Sequence, residues 1–180
     1  MLNNLASFIP HFILFSHFAL LVLILSLVFR KSWGSTVYNL VASHALVIAF
    51  AVSIAAVAGS LFYSEVMGFE PCVLCWWQRV CLYPLVVVFG VALWKKLGDA
   101  FLYAVPLAVL AGLVSLYQAY GPLLGTESLL PCLADEGECA KVYVKAFGYI
   151  TIPIMSLTVS LYILFFAWVD RISRNENSNA

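Results

Sequence analysis

Charged residues are scarce in this chain of 180 residues: they make up 10% of it, whereas 64% is hydrophobic. The nine Lys and Arg residues balance nine Asp and Glu residues and are scattered along the chain, which excludes the basic stripe of a nucleic-acid-binding protein. No polar stretch reaches the size of a domain, which excludes a large soluble catalytic domain on a membrane anchor. This composition predicts a membrane protein whose chemistry takes place in the bilayer or on short loops.

Five long apolar segments are present. A helix rises about 1.5 Å per residue, so a membrane span needs roughly 20 apolar residues. The segments are residues 12–29, 39–62, 75–94, 100–120 and 148–169, which predicts one all-α integral membrane domain, residues 1–180, with five transmembrane helices. Basic residues follow the first segment rather than precede it, which favours a retained span over a cleaved signal peptide.

Basic residues cluster after the first, third and fifth spans, at Arg30/Lys31, Lys95/Lys96 and Arg171/Arg174. These clusters fall on one side of the membrane, which the positive-inside bias makes the cytoplasmic side. The N-terminus is then outside, the loops 63–74 and 121–147 face outward, and the tail 170–180 is cytoplasmic. Because the tail is polar, we expect residues 171–180 to be disordered.

The five cysteines are the residues with the most informative positions. Cys72, Cys75, Cys132 and Cys139 fall at the outer face, where thiols are usually oxidised, and Cys81 lies inside a span. Three pairings of four cysteines are possible, and the short separations favour Cys72 with Cys75 and Cys132 with Cys139. A Cys-x-x-Cys ring stabilises little, so redox chemistry is its usual purpose, and a helix start lowers the pKa of a thiol. Cys81 lies roughly 120° around the helix from Cys75 and is interpreted as an inert buried thiol.

Arg79 is the one formal charge within the predicted spans. It follows Cys75 by four residues and therefore shares a helical face with it, about 6 Å along the axis. A charge inside a span is costly and is a functional candidate by default. Its guanidinium would stabilise a Cys75 thiolate or donate hydrogen bonds to the carbonyl oxygen of an electron acceptor. The alternative is that Arg79 snorkels to the lipid headgroups.

The motifs EPCVLCWWQR and PCLADEGEC, with FGYITIPIMSL at the last span, resemble the DsbB/BdbC family of bacterial disulfide bond formation proteins over residues 39–169. The resemblance implies a four-helix core in the bacterial inner membrane and a quinone-dependent protein-dithiol oxidoreductase. Such an enzyme reoxidises a DsbA-like thioredoxin-fold oxidase outside the cytoplasm and passes the electrons to a respiratory quinone, ubiquinone or menaquinone. The chain departs from the usual pattern in its extra first span and its short Cys132 to Cys139 spacing.

The resemblance also implies a role for each functional residue. Cys132 would form the mixed disulfide with the partner, and Cys139 would resolve it. Electrons would then pass by thiol exchange to the Cys72–Cys75 disulfide. Cys75, as a thiolate, would donate them to the quinone beside Arg79, and Cys72 would be the exchange partner.

Other classes of function fit the sequence less well. Four outward thiolates could bind zinc, but an oxidising compartment favours disulfides. A transporter braced by disulfides would need ionisable residues along its path, which the spans lack apart from Arg79. A vitamin K epoxide reductase-like enzyme would carry its Cys-x-x-Cys after the loop pair, the reverse of the order here. Gln78 could donate to a quinone oxygen, although a polar residue at a span end needs no such role, and the three histidines show no metal-ligand spacing.

Overall fold

The structure, a computed structural model, describes residues 2–29, 35–120 and 143–178, and in this part of the chain it is all-α. The helices are α1 (Leu2–Val28), α2 (Ser35–Leu61), α3 (Val73–Lys95), α4 (Ala100–Tyr120) and α5 (Ile152–Ser178), and a π-helical turn, Phe62–Val66, extends α2. All five helices are long and apolar enough to cross a membrane. The predicted fold class is therefore confirmed.

Helices α2 to α5 form a four-helix bundle. Each packs against the next along the chain, and α5 closes the ring by packing against α2. Large apolar side chains such as Leu85 and Phe166 are almost fully buried in its centre. Small residues bring α4 and α5 close together: a Cβ atom at Gly112 would lie 3.4 Å from the Cβ of Ser160. Close backbone approach of this kind is a common source of packing energy between helices in a membrane.

Helix α1 lies outside this ring, against α2 and α5. Hydrogen bonds to His17 join it to the α5 side of the bundle. The Thr158 hydroxyl donates to the carbonyl of Ile154 at 2.8 Å, so its oxygen accepts from Nε2 of His17, also at 2.8 Å. The Nδ1 atom then accepts from the hydroxyl of Tyr149 at 3.2 Å. Both ring nitrogens of a neutral imidazole are satisfied in this way, and α1 gains a specific register on α5.

Several helix boundaries differ from the prediction. Helix α1 begins at Leu2, ten residues before the predicted span, and the π-helical turn places residues 63–66 in a helix instead of the loop. Helix α5 begins at Ile152 because residues 146–150 form a tight turn, with positive φ angles at Phe147 (52°) and Gly148 (81°).

The expectation of a disordered tail is wrong for residues 171–178, which continue α5. Arg174 makes two ion pairs in this part of the helix. Its Nε atom lies 2.7 Å from the carboxylate of Asp170 one turn earlier, a spacing that stabilises helices. Its Nη1 atom also reaches Asp99 in the α3–α4 connection at 3.3 Å.

These contacts identify the two ends of the bundle. The Tyr38 hydroxyl donates to Glu176 at 3.2 Å, so the start of α2, the α3–α4 connection and the end of α5 lie together. The basic clusters that follow the third and fifth spans belong to this end, whereas Arg30 and Lys31 lie outside the described residues. The start of α3 and the end of α4 lie at the opposite end, and the cysteine pair is there.

Candidate active site

Two cysteine sulfurs meet at the start of α3. Pro71 has no backbone N–H to donate to a helical hydrogen bond. Cys72 after it occupies the N-cap position in an extended conformation (φ −68°, ψ 169°). Cys75 follows in the first turn. The Sγ atoms of the two thiols lie 3.1 Å apart, and only 6% of the Cys72 surface is exposed. A pair this close needs only a small movement to pass between dithiol and disulfide.

One glutamine contacts this pair, and a second glutamine from another helix is hydrogen-bonded to the first. Gln118, near the end of α4, donates from Nε2 to Sγ of Cys72 at 3.3 Å and to Sγ of Cys75 at 3.7 Å. Gln78, one turn after Cys75 and 5% exposed, donates from Nε2 to Oε1 of Gln118 at 2.7 Å. The bond from Gln78 holds the carbonyl oxygen of Gln118 away from the sulfurs and turns its amide nitrogen toward them.

The charge state of the pair follows from these contacts. The hydrogen bond with the Cys75 thiol lowers the pKa of Cys72 from 9.0 to about 6, which outweighs the raising effect of burial. Backbone hydrogen bonds at Leu74 and Cys75 and the amide of Gln118 act in the same direction. At neutral pH the reduced pair therefore favours a thiolate on Cys72 with the Cys75 thiol donating to it, whereas the family resemblance implied a thiolate on Cys75.

Arg79 contacts α2, whereas Gln78 contacts α4. Its Nε atom donates to the Ser60 hydroxyl of α2 at 3.1 Å, and its Nη2 atom donates to the Ser60 carbonyl at 3.3 Å. The guanidinium also lies 5.2 Å from the ring centroid of Trp76. Within the described part of the chain, no hydrogen bond joins Arg79 to either sulfur. Its contacts hold it between α2 and α3, an arrangement that favours a positioned guanidinium over one that extends to the headgroups.

The structure describes some of the predicted site residues and not others. Cys72, Cys75 and Arg79 lie together at the start of α3, whereas Cys132 and Cys139 lie outside the described residues. Cys81 is buried in the bundle core, as expected.

Sequence reasoning missed Gln118 and favoured no specific role for Gln78. The available signal was that these are the two glutamines of the chain, and that each interrupts an apolar span.

A thiol pair at a helix start, in a bundle of membrane-spanning helices, is the arrangement of a membrane-embedded disulfide-forming oxidoreductase. Residues 42–169 match the family described as "Disulfide bond formation protein DsbB", and the chain belongs to this family. The match begins within α2, so α1 lies outside it. No solved structure matches the chain.

Proteins of several bacteria are similar to this chain. The chain is 31% identical to "Probable disulfide formation protein C 2" of Bacillus anthracis over 139 residues, which cover 77% of this chain and 99% of the relative. It is 38% identical to "Probable disulfide formation protein C" of Bacillus cereus, over 63% of this chain and 82% of the relative. It is 34% identical to "Probable disulfide formation protein" of Coxiella burnetii, over 72% of this chain and 89% of the relative. A role in disulfide bond formation follows from this membership.

Proposed function

We propose that this protein reoxidises a DsbA-like thioredoxin-fold oxidase outside the cytoplasm and passes the electrons to a respiratory quinone. The observation that carries the proposal is the contact of the Cys72 and Cys75 sulfurs at the start of a membrane-spanning helix, one turn from Arg79. A purely structural disulfide would gain little from closing so short a loop. The lowered pKa of Cys72 makes its sulfur a good leaving group in the thiol exchange that reduces the pair.

The redox end of the bundle faces outward in this proposal. Lys95, Lys96, Arg171 and Arg174 belong to the opposite end, and the positive-inside bias makes that end cytoplasmic. The protein then lies in the bacterial inner membrane with its C-terminus in the cytoplasm and its N-terminus outside. This orientation exposes the cysteine pair to an oxidising compartment, where its partner would also be found.

Thiol exchange accounts for the electron flow. The two thiols of the partner become a disulfide while the Cys132–Cys139 disulfide becomes two thiols, with Cys132 forming the mixed disulfide and Cys139 completing its resolution. Exchange with the Cys72–Cys75 disulfide then restores the Cys132–Cys139 bond and leaves Cys72 and Cys75 reduced. Two electrons and two protons have moved inward from the partner, and no step changes the number of disulfide bonds.

The residues around Cys75 fit a quinone ring. When bound, a quinone would supply an acceptor for the two electrons of the reduced pair and for two protons, of which the Cys75 thiol carries one. Arg79 is a cationic donor whose position is held by Ser60, and its guanidinium suits a carbonyl oxygen. Trp76 is 55% exposed beside it and offers a flat apolar face. Cys75 itself is only partly buried.

The proposal is tested by alkylating cysteines in native membranes and reading the mass shift, with the respiratory quinone depleted and then restored. We expect Cys72, Cys75, Cys132 and Cys139 to accumulate as thiols without quinone and to become two disulfides when it returns. Disulfides that persist regardless of quinone would make them structural and favour a transporter. Thiols that stay protected until a chelator is added would indicate zinc.

Two variants sharpen this experiment. In Cys132→Ser the partner can no longer deliver electrons, so Cys72 and Cys75 are expected to stay oxidised even without quinone. Cys81→Ser is the matched control, since Cys81 is buried in the core away from the pair, and it should behave like the parent protein. Reduction of Cys72 and Cys75 in Cys132→Ser would contradict the order of electron transfer.

A further inference from the structure

The hydrogen bonds of Gln118 have a consequence for how strongly the cysteine pair oxidises. Its amide nitrogen carries two hydrogens and lies within hydrogen-bond distance of both sulfurs, at 3.3 Å from Cys72 and 3.7 Å from Cys75. An N–H donor interacts far more strongly with a thiolate than with a neutral disulfide sulfur, because the bond to the anion is charge-assisted. The amide therefore stabilises the reduced pair more than the oxidised one.

Gln78 supplies the orientation that this effect needs. A side-chain amide can present either its oxygen or its nitrogen, and an oxygen facing a thiolate would be repulsive. The Nε2 atom of Gln78 donates to Oε1 of Gln118 at 2.7 Å and so selects the orientation with nitrogen toward sulfur. Gln78 is buried, so water could not replace this hydrogen bond if it were lost. The bond is therefore costly to break.

We propose that Gln118 is a further catalytic residue of the cysteine pair, which stabilises the reduced form and makes the Cys72–Cys75 disulfide a stronger oxidant, and that Gln78 is its positioning residue. This inference rests on the proposed function, in which the pair is reduced and reoxidised in each cycle. A disulfide is more oxidising when its reduced form is stabilised. Such a pair accepts electrons readily from the loop cysteines.

The test measures the equilibrium of the pair with glutathione. In a full-length parent chain with Cys81, Cys132 and Cys139 replaced by alanine, Cys72 and Cys75 are the remaining thiols. Two glutathione thiols reduce the pair and become one glutathione disulfide. The products are the Cys72 thiolate, the Cys75 thiol and one released proton, so electrons and protons balance. The reduced fraction is read by alkylation and mass shift across a series of glutathione buffers at pH 7.

Gln118→Met keeps the size of the side chain and removes its donor. We expect the equilibrium constant for reduction to fall about tenfold, which corresponds to a potential about 30 mV more negative. Gln118→Glu keeps an acceptor for Gln78 but places a negative charge beside the sulfurs, so its shift should be larger and in the same direction. Gln78→Met should give a smaller shift. Leu116→Met, on an exposed part of α4, is the matched control and should give none.

A second readout separates this role from a merely structural one. The pH at which alkylation of Cys72 is half-maximal should rise in Gln118→Met and Gln118→Glu, and it should stay unchanged in Leu116→Met. Glutathione equilibria of both Gln118 variants within twofold of the parent would overturn the inference while leaving the proposed function intact. A parent pair that glutathione cannot reduce would overturn both.

Discussion

Replacing Cys75 by alanine is expected to raise the pKa of Cys72 by several pH units. The hydrogen bond from the Cys75 thiol is the largest cause of the low pKa of about 6 at Cys72, and burial acts against it. Without this donor, burial is opposed only by the backbone hydrogen bonds and the Gln118 amide. The pKa should then return toward its ordinary value of 9.0.

The expected change in reactivity can be worked out from this shift. At pH 7 the thiolate fraction of Cys72 would fall from about 0.9 to about 0.01, close to a hundredfold, if the pKa rose by about three units. A thiolate of higher pKa is also more nucleophilic. With a Brønsted coefficient of about 0.45, the rate constant of the thiolate rises roughly twentyfold, which offsets part of that loss. Alkylation at pH 7 should therefore slow about fourfold, whereas the maximal rate at high pH should rise about twentyfold.

The assay is the rate of iodoacetamide alkylation of Cys72 between pH 4 and pH 10, in the fully reduced protein, resolved from other cysteines by peptide mass. The alkylation rate should increase with pH. Cys72 is protonated and reacts slowly below its pKa, and it becomes reactive as the pH rises through that value. Cys75→Ser retains a hydroxyl donor and should shift the midpoint less than Cys75→Ala. A midpoint that stays near pH 6 in Cys75→Ala would refute the assignment of the low pKa to this hydrogen bond.

Two further predictions concern Arg79 and His17. Arg79→Met should raise the apparent KM for quinone at least about tenfold, through loss of a charge-assisted donor, while leaving thiol exchange with the partner unchanged; an unaltered quinone KM would count against this role. His17→Leu removes two hydrogen bonds between α1 and the bundle, and bonds of this kind in membranes contribute about 0.6 kcal/mol each. It should lower the free energy of unfolding by about 1 kcal/mol, measured by thermal denaturation in detergent, and adding Thr158→Val should cost little more if the two side chains act together.

Much of this protein follows from local sequence properties. Hydropathy located five spans, because a membrane helix needs a long apolar stretch whatever it packs against. The spacing of Cys75 and Arg79 placed both on one face of a helix, about one turn apart. Boundaries were less well predicted. The last turns of α5 are polar, and hydropathy does not register the ion pairs that Arg174 makes there.

The surroundings of the cysteine pair depended on tertiary structure. Helical spacing relates residues on one helix, but it does not determine which neighbouring helix each face meets. Gln118 is 40 residues from Gln78, and only the packing of α4 against α3 brings its amide to the sulfurs. Packing of α2 against the other side of α3 likewise supplies Ser60 as the partner of Arg79. The sequence by itself placed the Cys-x-x-Cys pair and Arg79 at the start of one span, and the bundle decided which donors face the sulfurs, because those contacts form between helices and not along one.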